Sequence, residues 1–105
     1  YKNKSLYEKL RSLNIHAGES SIITLASELD KKYNKVVILD DLASRDIARS
    51  LGLKITGTIG IILTATSLNL LSKKETKKII NILVSMDFWI SSELYVKIME
   101  ELEKL

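Results

Sequence analysis

The stretch VVILDDLASRDIARSLGLKIT, residues 36–56, constrains the fold of this chain most. Val36 to Leu39 is an unbroken apolar run rich in β-branched side chains, bounded by a turn and by two carboxylates. Such a run suits a strand buried on both faces of a parallel sheet. From Leu42 to Leu51 the apolar residues return to helical spacing, and Gly52 is a residue that ends helices well. LKIT then reads as a second short strand. Strand, helix, strand at this spacing is the pattern of a right-handed parallel crossover, which places the chain in the α/β class.

Around this unit the sequence is helical. Ser5 with Glu8 has the form of a capping box ahead of Leu6, Leu10 and Leu13, and predicts a first helix ending near Asn14. A second helix is predicted from Glu19 to Asp30 on the stripe Ile22, Ile23, Leu25, Ala26 and Leu29. Another begins at Ile59 after the turn TGTIG. Ser72 with Glu75 forms a further capping box ahead of Ile79, Ile80, Leu83 and Val84. Ser91 is the expected cap of a closing amphipathic helix through Ile98 and Leu102. Five or six helices thus accompany only two strands, Val36 to Leu39 and Leu53 to Thr56. Two strands bury little and leave unpaired edges, so the sheet is expected to be completed by dimerisation or by a missing amino-terminal half.

A chain of 105 residues is expected to form a single domain, residues 1–105. With 46% hydrophobic and 28% charged residues it falls outside the disordered classes. Its longest mostly apolar run, Ile59 to Leu71, falls well short of the ~20 residues of a membrane span. The chain contains no cysteine, which excludes disulfides and thiolate chemistry and fits a reducing interior, so a cytoplasmic location is expected. The formal charge of +3 is modest for a nucleic-acid binder. Tyr1 at the start, with no signal pattern after it, suggests an internal cut or a processed end.

A helix from Glu19 to Asp30 runs roughly 17 Å at ~1.5 Å per residue. The strand from Val36 to Asp40 returns over about 16 Å at ~3.3 Å per residue. Glu19 and Asp40 are therefore expected at one edge of the sheet, the carboxyl ends of the strands, where ligands of open α/β sheets bind. Glu19 falls in the first turn of its helix, where the helix dipole favours a negative charge. Oxygen ligands of this kind suit magnesium or manganese. Successive strand side chains face opposite ways, so one of Asp40 and Asp41 is expected at the site and the other at the cap of the helix beginning at Leu42. The competing reading is that both are strand-end and cap residues.

Together, HAGESSIITLA, VVILDDLASRDIARSLGLKITGTIGIIL and FWISSELYVKIM resemble the carboxyl-terminal part of PIN-domain-like proteins of the archaeal and bacterial group related to toxin ribonucleases. The resemblance runs from about His16 to the end. It implies a truncated PIN-like parallel sheet flanked by helices, and a cluster of usually four acidic residues binding Mg2+ or Mn2+ for RNA hydrolysis. It gives Glu19 and Asp40 as metal ligands, Asp41 as their catalytic neighbour, and Arg45 and Thr58 as supporting residues. It also implies RNA as substrate and an antitoxin-like protein as partner. An aspartate ending the first, central strand and a glutamate on an early helix, both part of the family's cluster, have no counterpart here, and Glu8 reads as a capping residue. With two or three carboxylates, the chain alone is expected to be a weak or inactive nuclease acting as an assembly module. The alternative is a ribonuclease whose remaining acids come from a partner or an upstream segment. A homodimer or a complementary amino-terminal PIN fragment would complete the sheet.

Other features carry less. Lys73, Lys74, Lys77 and Lys78 form a basic strip that suits a solvated face better than a phosphate-contacting patch, and aromatic residues for stacking on bases are missing from it. His16 is the only histidine and is read as a loop residue near the site's edge. Phe88 and Trp89 are expected to plug a core. GTIG lacks the glycine spacing and the lysine of a nucleotide-binding loop.

Overall fold

The computed structural model describes residues 3–105; Tyr1, on which the reading of the chain's start rests, lies outside them. The described residues form six helices and two short strands. They fall into two compact units, one ending at Thr58 and the other comprising Ile59–Leu105. No helix among the described residues is long and apolar enough to cross a membrane.

In the first unit, α1 spans Lys4–Ser12 and is capped by Asn3, whose side chain accepts from the Leu6 backbone N–H at 3.0 Å. Ser5 and Glu8 are therefore not a capping box. Asparagine caps as well as serine does, and with Asn3 in that role Ser5 falls inside the first turn. Asn14, at φ 65°, ends the helix in the left-handed conformation that asparagine tolerates. The backbone N–H of Asn3 donates to Glu28, tying the start of α1 to the end of α2.

Helix α2 spans Ala17–Glu28. Its buried positions are Ser20, Ile23, Thr24 and Ala26, whereas Ile22, Leu25 and Leu29 of the expected apolar stripe are exposed. The inward face is thus set by small and hydroxylated side chains. Ser20 Oγ donates to the Ile15 carbonyl and Thr24 Oγ1 to the Ser20 carbonyl, so each buried hydroxyl is satisfied and close packing costs little.

Strand β1, Val37–Ile38, pairs in parallel with β2, Ile55–Thr56, with Val37 opposite Ile55 and Ile38 opposite Thr56. The Val37 N–H donates to the Lys54 carbonyl and the Leu39 N–H to that of Thr56, both at 2.9 Å. Val37 and Leu39 are buried, but Val36 and Ile38 are 54% and 53% exposed. The run is therefore not a strand buried on both faces: α2 and α3 cover one face, and the alternation of side chains delivers the other to solvent. Helix α3, Leu42–Ser50, closes the crossover, and Gly52 at φ 76° supplies the left-handed residue after its end. Leu10, Ile15, Ile23, Ala26, Val37, Leu39 and Ala48 form this unit's core.

The second unit is helical. Its elements are α4 (Thr58–Ser67), whose first residue belongs to the preceding unit, α5 (Lys73–Ser85) and α6 (Ser92–Lys104). The capping box of Ser72 and Glu75 is present in both directions, and Ser91 caps α6 through the Leu94 N–H. Ile80, Ile98 and Leu102 make its core, and a buried Thr66–Thr76 hydroxyl pair, 2.5 Å apart, joins α4 to α5. Trp89 is not a core plug: it is 83% exposed while Phe88 is half-buried. Asp87 breaks α5 at φ 63°, and in the non-helical stretch that follows neighbouring side chains face different ways.

Candidate active site

At the carboxyl end of β1 the adjacent carboxylates separate. Asp41 is the N-cap of α3, and its Oδ2 accepts from the Ser44 backbone N–H at 3.0 Å and from Ser44 Oγ at 2.9 Å. The Ser44 N–H, then the Ser44 hydroxyl, hold the Asp41 carboxyl below the usual carboxylate range, and the charge of His16 acts in the same direction. Asp40 is exposed and takes a different partner: its Oδ1 accepts from the Thr58 N–H at 2.8 Å and its Oδ2 from Thr58 Oγ1 at 2.7 Å. Both carboxylate oxygens are thereby fixed by one residue beyond the end of β2.

Arg45, one turn into α3, donates from Nη1 to the Leu39 carbonyl at 3.0 Å and so holds the backbone at the strand's end. Gly57 lies among these groups. A Cβ at position 57 would come within 2.7 Å of Arg45 Nη1 and 2.9 Å of Asp40 Oδ1, closer than such atoms approach. Asp40, Arg45 and Thr58 are therefore brought together around a glycine, and Gly57 and Ser44 are participants that pattern reading missed. The glycine of T-G-T between a strand and a helix was the available signal, since close approach of side chains to a backbone calls for glycine.

Glu19 is half-buried in the first turn of α2, three residues after His16, the helix's N-cap. Among the described residues no three His, Asp or Glu side chains gather as an ion-binding group. A carboxylate offers about four lone-pair sites and Asp40 uses two, so it retains capacity to bind a cation. The donor chemistry suits magnesium or manganese, the number of donors does not, and these carboxylates are not by themselves a two-ion centre.

The sequence model of the PIN-domain family matches residues 1–104. The chain belongs to the PIN-domain family. Neither a curated protein nor a solved structure matches it. The match takes in α1, beyond the stretch from His16 onward that carries the resemblance, and the helix-rich fold with a parallel two-stranded sheet is consistent with a PIN-like α/β architecture. PIN domains are nuclease-like in general terms and generally use divalent metal ions.

The basic strip of this PIN-domain chain lies on α5 and is partly engaged. Lys77 Nζ pairs with Glu103 Oε1 at 3.0 Å, and Lys73 Nζ donates to the Glu103 carbonyl at 3.4 Å. The Lys77 hydrogen bond and charge, with that of Lys73, hold the Glu103 carboxyl below its ordinary range. Lys74 and Lys78 stay exposed.

Proposed function

We propose that this chain supplies one part of a Mg2+- or Mn2+-dependent PIN-type ribonuclease centre, weak or inactive by itself, and assembles with a second copy or a complementary PIN segment that adds the remaining carboxylates. Asp40 and Glu19 are the proposed ligands and Asp41 their neighbour. Thr58 orients Asp40, and Arg45 holds the strand end behind it. The ion, once bound by a completed set of carboxylates, would supply an activated water and stabilise the leaving oxygen. The observation that carries this reading is the double hydrogen bond from Thr58 to Asp40, which fixes an exposed carboxylate at the strand's end while Asp41 serves as the cap.

Calorimetric titration of manganese into the wild type and into Glu19→Ala and Asp40→Ala variants tests the metal assignment. Weak binding by the wild type that both substitutions abolish is expected; equal binding by all three would overturn it. Light scattering behind size exclusion tests assembly, and a monomer at high concentration would count against the homodimer. A further reading, an antitoxin-like partner that controls the centre, rests on the family resemblance.

A further inference from the structure

The parallel crossover has a second pole. Residues 29–36 connect the end of α2 to β1, and residues 51–54 connect the end of α3 to β2. Both connections lie at the amino ends of the strands, opposite Asp40 and Thr58. They enclose an open groove of about 560 Å³, lined wholly by residues of the first unit. Lys31, Lys32, Lys35 and Lys54 line it without any acidic residue. Lys35 Nζ donates to the Leu29 carbonyl at 2.8 Å and closes the end of α2, and Lys32 Nζ stands 5.4 Å from the centre of the Tyr33 ring. Among the described residues, Lys31 and Lys54 form no ion pair.

The rest of the lining is aliphatic. Leu6 and Leu53 pack against the core, whereas Leu29 and Leu51 are 42% and 44% exposed and present apolar surface beside the lysines. We infer that this groove docks an acidic segment of a partner protein that carries leucine-like side chains. Its carboxylates would meet the four ammonium groups while its aliphatic side chains cover Leu29 and Leu51. A nucleic-acid strand fits less well. Stacking on successive bases needs several aromatic faces, and the lining holds one aromatic residue, Tyr33; no arginine is present in it to grip phosphate from two directions.

Fluorescence anisotropy with a fluorescein-labelled peptide of alternating glutamate and leucine tests the assignment, using the full chain. The double variant Lys31→Glu, Lys54→Glu is expected to bind roughly tenfold more weakly, as the loss and reversal of two exposed charge contacts implies. The charge-matched Lys97→Glu, Lys104→Glu variant, altered on α6, is expected to bind as the wild type does. Leu29→Gln, Leu51→Gln keeps every charge and is also expected to bind more weakly. A peptide with serine in place of leucine should lose affinity for the wild type. Circular dichroism confirms that each variant is folded. Absent binding, an equal loss in both charge variants, or indifference to the leucines would overturn the inference. So would tighter binding of a single-stranded RNA that depends on Lys31 and Lys54.

Discussion

Gly57 is the residue on which the candidate site turns. Its missing Cβ leaves room for Arg45 Nη1 and Asp40 Oδ1, both already committed to hydrogen bonds. Gly57→Ala should cost about 1–3 kcal/mol, as overpacking does, measured by urea unfolding. Asp41 makes a second prediction. Its folded-state pKa is depressed, so the stabilisation is fully present above the unfolded value of about 3.9 and is lost as pH falls through the lower folded value. Asp41→Ala should cost about 1 kcal/mol at neutral pH and flatten the loss of stability below about pH 4; Asp41→Asn should retain most of the cap. Urea midpoints across that pH range check both. The division of labour between Asp40 and Asp41 was open to inspection in the sequence, because adjacent strand residues diverge. Which did which depended on Ser44 standing three residues after Asp41, and on Thr58, eighteen residues from Asp40, whose contact no local pattern specifies.

At the level of elements, the helices were readable where a cap coincided with an apolar repeat. Ser72 with Glu75 and Ser91 mark their helices as the structure has them, and Ser72→Ala should cost about 1 kcal/mol by thermal unfolding. The first helix was misread at its start because Asn3, Ser5 and Glu8 offer two overlapping caps, and local spacing does not choose between them. The inward face of α2 was misjudged because hydropathy ranks Ile22 and Leu25 above Ser20 and Thr24, although hydroxyls that bond their own helix bury readily. Ile23, fully buried, is the anchor of that face. Ile23→Ala should cost about 2–5 kcal/mol, whereas Ile22→Ala should cost far less, as paired denaturation curves would show.

For the whole molecule, the α/β character of the crossover was visible in residues 36–56, while exposure of Val36 and Ile38 was not, because an apolar run does not say which of its faces is covered. A two-stranded sheet with an apolar face towards solvent is prone to pair with another chain. If the proposed homodimer uses this surface, Ile38→Lys should shift the light-scattering mass from dimer to monomer with the helical circular dichroism unchanged. The separate bonding of the neighbouring aspartates also decides how such a protein is best interrogated. Because the N-cap of α3 is Asp41, Asp40→Asn leaves that cap in place and keeps an acceptor for the Thr58 amide, so a chemical defect in it can be read apart from a folding defect; Asp41→Ala, which removes the cap, does not permit that distinction.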